Sequence, residues 1–334
     1  MTTLLSVVDT VRLALVASPH PLSLGQRAAT SSPWWVPLVS GLGGALIGGG
    51  ITGLAAWASA RQQLRHERIR MLNERFATAS ELLGHAEPAN RLAGVHAMAG
   101  LADDWAERRQ TCIDVLCAYL RMPYPAEPPE TEPVERLAWQ ASREVRHTVI
   151  RVIRDHLKEE VSESATSWKG HDFDFTGTVF DGGTFHGAHF TGGTVSFFRA
   201  TFSGGRVDFS YADFSGGVVD FADAKFSGDE VSFVGARFSG GAVYFTGAEF
   251  SRGSVRFVNG EFSNSEVNFV SARFSGGTVW FAGAEFSGGV VDLRHPAKWT
   301  WPPVFDDAVL AAPPTALLLP EVTEPPEPDV RPGC

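Results

Sequence analysis

Cysteine is scarce in this sequence. Only three of the 334 residues are cysteine, and they form neither a C-x-x-C pair nor the even, regularly spaced set of a disulfide framework. Cys112 and Cys117 lie close together in a segment with helical periodicity, and a metal site at this pair is one alternative. We interpret both instead as small apolar residues of a protein in a reducing compartment.

Basic charge is also in short supply, and lysine above all. Lys and Arg together number 28 against 38 Asp and Glu, which gives a formal net charge of −10. A protein of this charge is not expected to bind nucleic acid directly through a basic surface. Lysine occurs only at Lys158, Lys169, Lys225 and Lys298.

Recognisable catalytic arrangements are absent from the sequence. It has no glycine-rich phosphate-binding motif, no Ser-His-Asp order and no carboxylate pair that stands out from surface composition. Near residue 180 a group of polar residues comprises His171, His186, His189, Asp172, Asp174 and Asp181. A metal site among them is one hypothesis, but we prefer to interpret them as outward polar residues of a repeat. We therefore predict that the protein is not an enzyme and has no catalytic, cofactor-binding or metal-binding residues.

What the chain has in abundance is phenylalanine at a fixed period. Steps of five residues open the series, and alternating steps of seven and five continue it until Leu293 takes the next place. The positions are Phe175, Phe180, Phe185, Phe190, Phe197, Phe202, Phe209, Phe214, Phe221, Phe226, Phe233, Phe238, Phe245, Phe250, Phe257, Phe262, Phe269, Phe274, Phe281 and Phe286. The full unit reads A-x-F-S-G-G-x-V-x-F-x-x. A short period sustained over this length is typical of a solenoid, in which each unit buries its apolar face against the next.

Strand alternation predicts which residues of the repeat face inward. Each phenylalanine shares one face of its strand with the small or branched residue two places earlier. These smaller residues include Ala200, Val207, Ala212, Val219, Ala224 and Val231. The Gly-Gly pairs, such as Gly216-Gly217, are expected to form turns that need a positive φ or a close approach of two backbones.

On these motifs the chain resembles the pentapeptide-repeat family, whose motif is A-[D/N]-[L/F]-x-x. The matching triplets include Ala188-His189-Phe190, Ala212-Asp213-Phe214 and Ala272-Arg273-Phe274. The resemblance covers about 171–294 and implies a right-handed quadrilateral β-helix with four pentapeptides to a coil. This chain departs from the family pattern by two extra residues in every second unit. Coils after Phe190 are therefore expected to hold about 24 residues rather than about 20.

This register makes definite predictions about columns along the solenoid. One interior column is predicted to contain Phe202, Phe226, Phe250 and Phe274. Outside it, an alternating charge ladder is predicted from Lys225, Glu249 and Arg273. Exposed ion pairs of this kind contribute less than ~1 kcal/mol each. About five coils are expected, forming a body roughly 24 Å long.

The N-terminal part divides into two segments. Residues 1–33 lack the unbroken apolar core of a signal peptide, so we predict a poorly ordered leader. Residues 34–60 carry no charge, and their length meets the ~20-residue requirement for crossing a bilayer as a helix. Trp34, Trp35 and Trp57 fit interfacial positions at its two ends. We predict a transmembrane helix here; a buried glycine-rich helix or a loop is the alternative.

Flanking arginines orient this segment. Its C-terminal side carries Arg61, Arg65, Arg68, Arg70 and Arg75, whereas only Arg27 lies close on the other side. The positive-inside rule therefore predicts a single-pass protein of the cell membrane with its large C-terminal part in the cytoplasm. The G-x-x-x-G patterns that begin at Gly44 and Gly49 would let two such helices approach closely, so a homodimer is a further hypothesis.

Apolar spacing predicts helices between this segment and the repeat. Residues 61–122 are predicted to form a cytoplasmic helical region whose third helix is capped by Asp103 or Asp104. Residues 123–132 are a proline-rich linker. An amphipathic helix over 133–165 is expected to cap the first coil, which would otherwise expose unpaired backbone groups.

Beyond the repeat the periodicity stops. Residues 295–310 are predicted to form a C-terminal cap in which Trp299 and Trp301 cover the far end of the solenoid. Residues 311–334 are rich in proline and glutamate, as in Pro325-Pro326-Glu327-Pro328, and are predicted to be a disordered tail.

A second resemblance concerns the helical region. Its segments 75–76, 91–95 (Arg-Leu-Ala-Gly-Val) and 117–121 (Cys-Ala-Tyr-Leu-Arg) look like those of membrane-anchored pentapeptide-repeat proteins of actinobacteria. No defined activity comes with that resemblance. The predicted fold class is thus an α + β solenoid: one N-terminal transmembrane helix, an α-helical region, then a right-handed quadrilateral β-helix.

Two functions are compatible with this architecture. We predict a membrane-anchored, non-enzymatic scaffold or protein-interaction module that displays its β-helix in the cytoplasm to a protein partner. The alternative, which the family resemblance implies, is a DNA-mimicking binder and inhibitor of the topoisomerase gyrase. Between 171 and 294 the charged side chains are 14 acidic and 8 basic, and arginines interrupt any acidic stripe, so we favour the scaffold. Function is expected in outward residues such as Asp208, Arg256 and Trp280.

Overall fold

The computed structural model of the protein describes residues 36–158 and 165–321, with the side chains of all of these except 36–56 and 58. The predicted leader at 1–33 and residues 322–334 lie outside the described residues. The chain divides into two units, Met1–Arg65 and His66–Cys334. The second unit holds the solenoid and the helices that directly precede it.

Helix α1, Val36–Leu83, is 48 residues long and contains most of the segment predicted to cross a membrane. Among the described residues, no helix is long and apolar enough to span a bilayer. Because the side chains of 36–56 lie outside the described residues, the transmembrane helix at 34–60 stays a prediction. Further along α1, the residues from Ser59 to Met71 are exposed, whereas Leu72, Ala79 and Leu83 are buried.

Three more helices and a short 3-10 turn form the helical region before the solenoid. They are α2 (Pro88–Asp104), the turn Ala106–Arg108, α3 (Arg109–Arg121) and α4 (Pro133–His156). The predicted capping role of Asp103 or Asp104 differs from the structure, because both residues end α2 and α3 begins only at Arg109. Their carboxylates are used elsewhere: Asp103 accepts hydrogen bonds from the Trp168 indole, and Asp104 from Arg75.

The helices pack around a small apolar core. Its most deeply buried members include Val95, Met98, Leu101, Cys112, Ile113, Leu116, Val145, Val149 and Ile153. These residues recur every three or four positions, so each helix turns one stripe inward. The predicted amphipathic helix at 133–165 corresponds to α4, which ends at His156, while residues 159–164 lie outside the described residues.

The rest of the described chain is a β-solenoid in which every described pairing between named strands is parallel. One sheet contains β1 (Phe173–Asp174), β4 (His189–Ser196), β7 (Asp213–Asp220), β10 (Arg237–Tyr244), β13 (Glu261–Phe262), β14 (Glu266–Asn268), β17 (Glu285–Phe286), β18 (Val290–Asp292) and β20 (Leu317–Leu318). A second contains β2 (Val179–Phe180), β5 (Thr201–Phe202), β8 (Lys225–Phe226), β11 (Glu249–Phe250), β15 (Arg273–Phe274) and β19 (Lys298–Trp299). A third contains β3 (Gly183–Thr184), β6 (Arg206–Asp208), β9 (Glu230–Ser232), β12 (Ser254–Arg256) and β16 (Thr278–Trp280).

The strand register confirms the predicted columns. Phe226 pairs with both Phe202 and Phe250, and their ring centroids are 4.8 Å and 4.9 Å apart. Phe250 stacks in turn on Phe274 at 5.0 Å. Lys225, Glu249 and Arg273 are in register outside this column, as the predicted ladder requires. The step between paired residues is therefore the 24 positions expected from the two extra residues of every second unit.

The solenoid has about six turns rather than the predicted five. The additional turn arises because the chain continues to pair after Leu293: Trp299 takes the place above Phe274, and Leu317 pairs with Val291. A short helix, α5 (Asp307–Ala311), interrupts this last turn. Of the tail predicted to be disordered at 311–334, the structure describes 311–321, and there Ala316 and Leu317 are buried in the last turn. Whether the coil is right-handed and four-sided stays a prediction.

Candidate interaction surface

The helical region closes the first end of the solenoid with side-chain hydrogen bonds. In a parallel ladder, alternate carbonyls of a strand point to the next coil and to the preceding one. In the first coil, the carbonyls of Thr178 and Phe180 accept hydrogen bonds from backbone N–H groups of the second coil. The carbonyl of Val179 accepts instead from Arg146 at 2.8 Å, and that of Asp181 from Arg143 at 3.1 Å. The arginines therefore replace donors that a preceding coil would supply.

Other residues of the helical region complete this cap. Arg121 donates to the carbonyl of Asp174, and Gln110 exchanges two hydrogen bonds with the backbone of Asp172. The backbone N–H of His189 donates to the carbonyl of Leu157 at 2.8 Å. The N-terminal end of the solenoid is consequently occupied, and the lateral faces remain for a partner.

Asp181 links the cap to the first coil through its carboxylate. Tyr124 and Arg143 donate to Oδ2 at 2.7 Å and 3.1 Å, and His147 Nε2 lies 3.0 Å from Oδ1. Burial alone would raise the pKa of Asp181, but the hydrogen bonds from His147 and Tyr124 and the charge of Arg143 hold it below its usual value. The carboxylate therefore stays ionised and acts as a structural acceptor.

The lateral faces carry ion pairs that run along the solenoid axis. Glu230 lies between two arginines of neighbouring coils, 3.6 Å from Arg206 and 3.6 Å from Arg256. On another face Arg237 pairs with Glu261 at 3.3 Å. Several of the arginines that interrupt the acidic residues in the sequence are thus paired with them in space, which leaves a mixed-charge surface rather than an acidic stripe.

The outward residues singled out from the sequence lie on one face. Arg256 pairs in register with Trp280, and Asp208 lies two coils before Arg256 in the same column, beyond Ser232. Trp280 is 36% exposed. The structure therefore brings these three predicted positions into one line.

A groove of about 690 Å³ opens beside this face. Its polar lining consists of Lys158, His186, His189, Tyr211, Asp213, Arg237, Asn259 and Glu261. Tyr211 dominates it, because its side chain is 63% exposed and its ring lies over Gly235, where a Cβ would approach the ring to 2.7 Å. His186 contacts the Tyr211 ring edge-to-face at 5.5 Å. The ring has room on this side because Gly235, in the next coil, lacks a side chain.

The backbone of Tyr211 is in an unfavourable conformation. Its φ is +57°, in the left-handed region that a bulky residue rarely adopts. The corresponding residues of neighbouring coils are Gly187, Gly235, Asn259 and Gly283, which suit a positive φ. Such strain costs about 1–3 kcal/mol and is typical of positions kept for a functional reason. Sequence reasoning missed Tyr211, although it breaks a column of glycine and asparagine residues.

Two of the histidines proposed as an alternative metal site, His186 and His189, lie beside different carboxylates. His189 Nδ1 lies 3.6 Å from Asp213, and His186 Nδ1 lies 4.0 Å from Asp208. Asp172 and Asp174 are used by the cap. Within residues 57–158 and 165–321, the structure contains no group of three His, Cys, Asp or Glu side chains placed to hold a metal ion.

The two cysteines of α3 are buried, as interpreted from the sequence. Burial raises the pKa of the Cys112 thiol to about 11 and that of Cys117 to about 12. Both therefore remain protonated thiols at neutral pH and act as small apolar residues.

Comparison with known proteins gives one match. Residues 175–225 match a family model described as pentapeptide repeats (9 copies). No curated protein and no solved structure matches the chain. The matched residues cover the first coils of the solenoid, including Tyr211 and Asp213.

Proposed function

Because the chain is a pentapeptide-repeat protein, we propose that it is a non-enzymatic scaffold whose lateral solenoid face binds a protein partner. We further propose that residues 34–60 anchor it in the cell membrane, with the solenoid in the cytoplasm. Family membership supports a protein-interaction module, and the exposed Tyr211 supports the groove around it as the binding face.

The exposed and strained Tyr211 is the observation that carries this proposal. Tyrosine is enriched at the energetic centres of protein interfaces because its ring contributes apolar contact area and its hydroxyl a hydrogen bond. The surrounding groove is concave and of mixed charge, which suits a polar protein surface. Trp280, on the face beside the groove, provides a second exposed aromatic ring.

The capped first coil supports a rigid display of this face. Side chains of α3 and α4 bond directly to the backbone of the first coil, and Ile150 of α4 lies against Gly183. A partner bound at Tyr211, in the second coil, would therefore be held at a defined position relative to the helical region. This arrangement favours a scaffold over a loosely tethered binding segment.

The DNA-mimic alternative is less well supported by the charge pattern. A mimic of duplex DNA needs carboxylates in continuous stripes with little basic interruption. Arg206, Arg237 and Arg256 instead form ion pairs with carboxylates of neighbouring coils. We expect the full chain to leave gyrase supercoiling unchanged, and strong inhibition would favour the alternative over the scaffold.

The anchoring part of the proposal rests on sequence features. Residues 34–60 are uncharged, and arginines follow them from Arg61 onward. We expect the full chain to remain in the membrane fraction after alkaline extraction and to be released when 34–60 are deleted. A reporter fused after Ala60 should be active on the cytoplasmic side, and activity only outside would refute the orientation.

Site-specific photo-crosslinking tests the binding face. A photoreactive phenylalanine analogue replaces Tyr211 in one variant and Tyr244 in the other, since Tyr244 is a solenoid tyrosine in a different column. We expect a discrete protein adduct in membranes from position 211 and none from position 244. Equal adducts at both positions, or none at either, would refute a partner-binding face at Tyr211.

A further inference from the structure

A cavity of about 240 Å³ lies in the helical region, away from the lateral faces of the solenoid. Its walls come from the end of α1, the start of α2, the end of α3, the linker and the middle of α4. Its charged or potentially charged lining residues are His85, Arg91 and Arg146, and none of the lining residues is Asp or Glu. The lining of this partly enclosed cavity thus contains two guanidinium groups and no carboxylate.

Arg146 is the more deeply buried of the two arginines, at 5% exposure. It donates to the carbonyls of Leu120 and Val179, both at 2.8 Å, and its guanidinium lies 4.3 Å from the centre of the Tyr124 ring. Burial lowers the pKa of Arg146, and the charge of Asp181 only partly offsets this effect. The nearest acid, Asp181, is already occupied by Tyr124, Arg143 and His147.

Arg91 supplies the second guanidinium. It donates to the carbonyl of Ala86 at 3.1 Å and to the hydroxyl of Ser142 at 3.3 Å. Its Nε is enclosed by protein yet has no hydrogen-bond partner among the described residues. Neither Arg91 nor Arg146 forms an ion pair with a carboxylate of any described residue. A buried donor without an acceptor is destabilising, so an acceptor at this place would stabilise the fold.

Hydroxyl groups complete the lining. Tyr119 lines the cavity together with Arg91 and Arg146. Burial raises the pKa of Tyr119, although the charges of the two arginines oppose that rise, so its hydroxyl stays protonated. Ser142 also lines the cavity and contacts Arg91. Arginine forks with neighbouring hydroxyl donors are the groups that bind phosphate and carboxylate oxygens.

We propose that this cavity binds a small oxyanion, either a phosphate group or a carboxylate, between Arg91 and Arg146. The anion accepts from the guanidinium groups and from the hydroxyl of Tyr119, and it balances their charge. By contacting α2, α3 and α4 together it stabilises the cap on the first coil. This site is independent of the partner-binding face at Tyr211.

Equilibrium dialysis of the full chain tests the proposal, with radiolabelled inorganic phosphate as the probe. Unlabelled sulfate, phosphoserine and citrate compete in separate arms, at constant ionic strength in chloride, and distinguish phosphate-type from carboxylate ligands. We expect saturable binding of one phosphate per chain or, if the ligand is a carboxylate, saturable citrate binding measured directly. Thermal unfolding in the same series should show a rise in Tm that saturates with the bound anion.

Arg91→Gln is the test variant because Arg91 bonds only within the helical region, whereas Arg146 is buried and also donates to the carbonyl of Val179 in the first coil. We expect its affinity for the anion to fall by roughly 10-fold or more, as expected for the loss of a charge-assisted fork. The affinity of Arg91→Lys should lie between those of the unmodified chain and Arg91→Gln, since lysine keeps the positive charge but lacks the two-pronged guanidinium group. Arg75→Gln is the matched control, because it removes one arginine charge from the same region outside the cavity, where Arg75 pairs with Asp104.

Two outcomes would overturn the proposal. The first is the absence of saturable binding for phosphate, sulfate, phosphoserine and citrate. The second is an equal rise in Tm for the unmodified chain, Arg91→Gln and Arg75→Gln, because phosphate and sulfate stabilise proteins generally by exclusion from their surfaces. Binding that is lost in Arg91→Gln and kept in Arg75→Gln supports the site.

Discussion

In the solenoid, the interior is filled almost entirely by phenylalanine, valine and alanine, whereas the helical region buries two arginines, Arg109 and Arg146. The solenoid satisfies its backbone groups by pairing each coil with the next, so its interior can remain apolar. The helical region meets the one coil that has no predecessor and must provide donors from side chains. The regular apolar packing of the solenoid therefore meets the irregular polar contacts of the helical region at the first coil.

Arg109 also supplies hydrogen-bond donors to unpaired backbone carbonyls, in this case within the helical region. It donates to the carbonyls of Ala102 and Ser167 at 3.0 Å and 3.2 Å, near the C-terminal end of α2. The last carbonyls of a helix have no partner inside the helix, and a buried guanidinium can satisfy several of them at once. In both places, a buried arginine donates to backbone carbonyls that have no backbone N–H partner.

The largest effect is expected from opening the solenoid interior. Phe233 stacks on Phe209 at 5.0 Å and on Phe257 at 4.8 Å, and it is fully buried. Phe233→Ala should lower the free energy of unfolding by about 3–5 kcal/mol, because the cavity cannot collapse between two stacked neighbours. Urea unfolding followed by circular dichroism measures the loss. A loss below about 1 kcal/mol would mean that the coils repack freely.

A smaller loss is expected from the cap. Arg146→Met keeps much of the aliphatic volume but leaves the carbonyls of Leu120 and Val179 without their donor. The free energy of unfolding should fall by about 2–3 kcal/mol. Hydrogen exchange should accelerate first in the first coil, since the cap is its only neighbour on that side. Uniform acceleration over all coils would contradict a local role of Arg146.

The pH dependence of the cap provides a third test. Because the pKa of Asp181 is lower in the folded chain than its ordinary value near 4, its contribution is fully present above about pH 4 and is lost as pH falls through the folded value. Asp181→Asn should therefore show a flatter decline in Tm below about pH 4 than the unmodified chain. Asp223→Asn, at a half-exposed position beside Arg199, is the control and should decline like the unmodified chain. Parallel curves of Tm against pH for all three proteins would contradict a stabilising role of the ionised Asp181 carboxylate.

The smallest change in the free energy of unfolding is expected at Tyr211, where the substitution should stabilise the chain instead of destabilising it. Tyr211→Gly removes a bulky side chain from a backbone with φ of +57°, while little buried area is lost. The free energy of unfolding should rise by about 0.5–1 kcal/mol, since relief of strain exceeds the entropy cost of glycine in the unfolded chain. The same variant should abolish the proposed partner contact. A destabilised variant would show that Tyr211 is structural.

The solenoid was largely predictable from the sequence because its contacts repeat. The columns that contain Phe226 and Phe250 follow from the spacing of phenylalanine alone, since each coil contacts only its neighbours. The last turn was not predicted, because Trp299 and Leu317 continue the columns without the repeat motif. The predicted cap by Asp103 or Asp104 failed for a different reason: Asp103 accepts a hydrogen bond from Trp168, a contact between distant parts of the chain.

The sequence by itself determined the period, the interior residues and the register of this protein, because in a solenoid these depend on interactions between adjacent repeats. Only the tertiary structure decided where the arginines of the helical region act, how Tyr211 stands above a glycine of the next coil, and that Arg91 and Arg146 line one cavity. Those arrangements join residues that are far apart in sequence and follow no period. Their physical origin is the need to satisfy buried polar groups wherever the repeating backbone ladder ends.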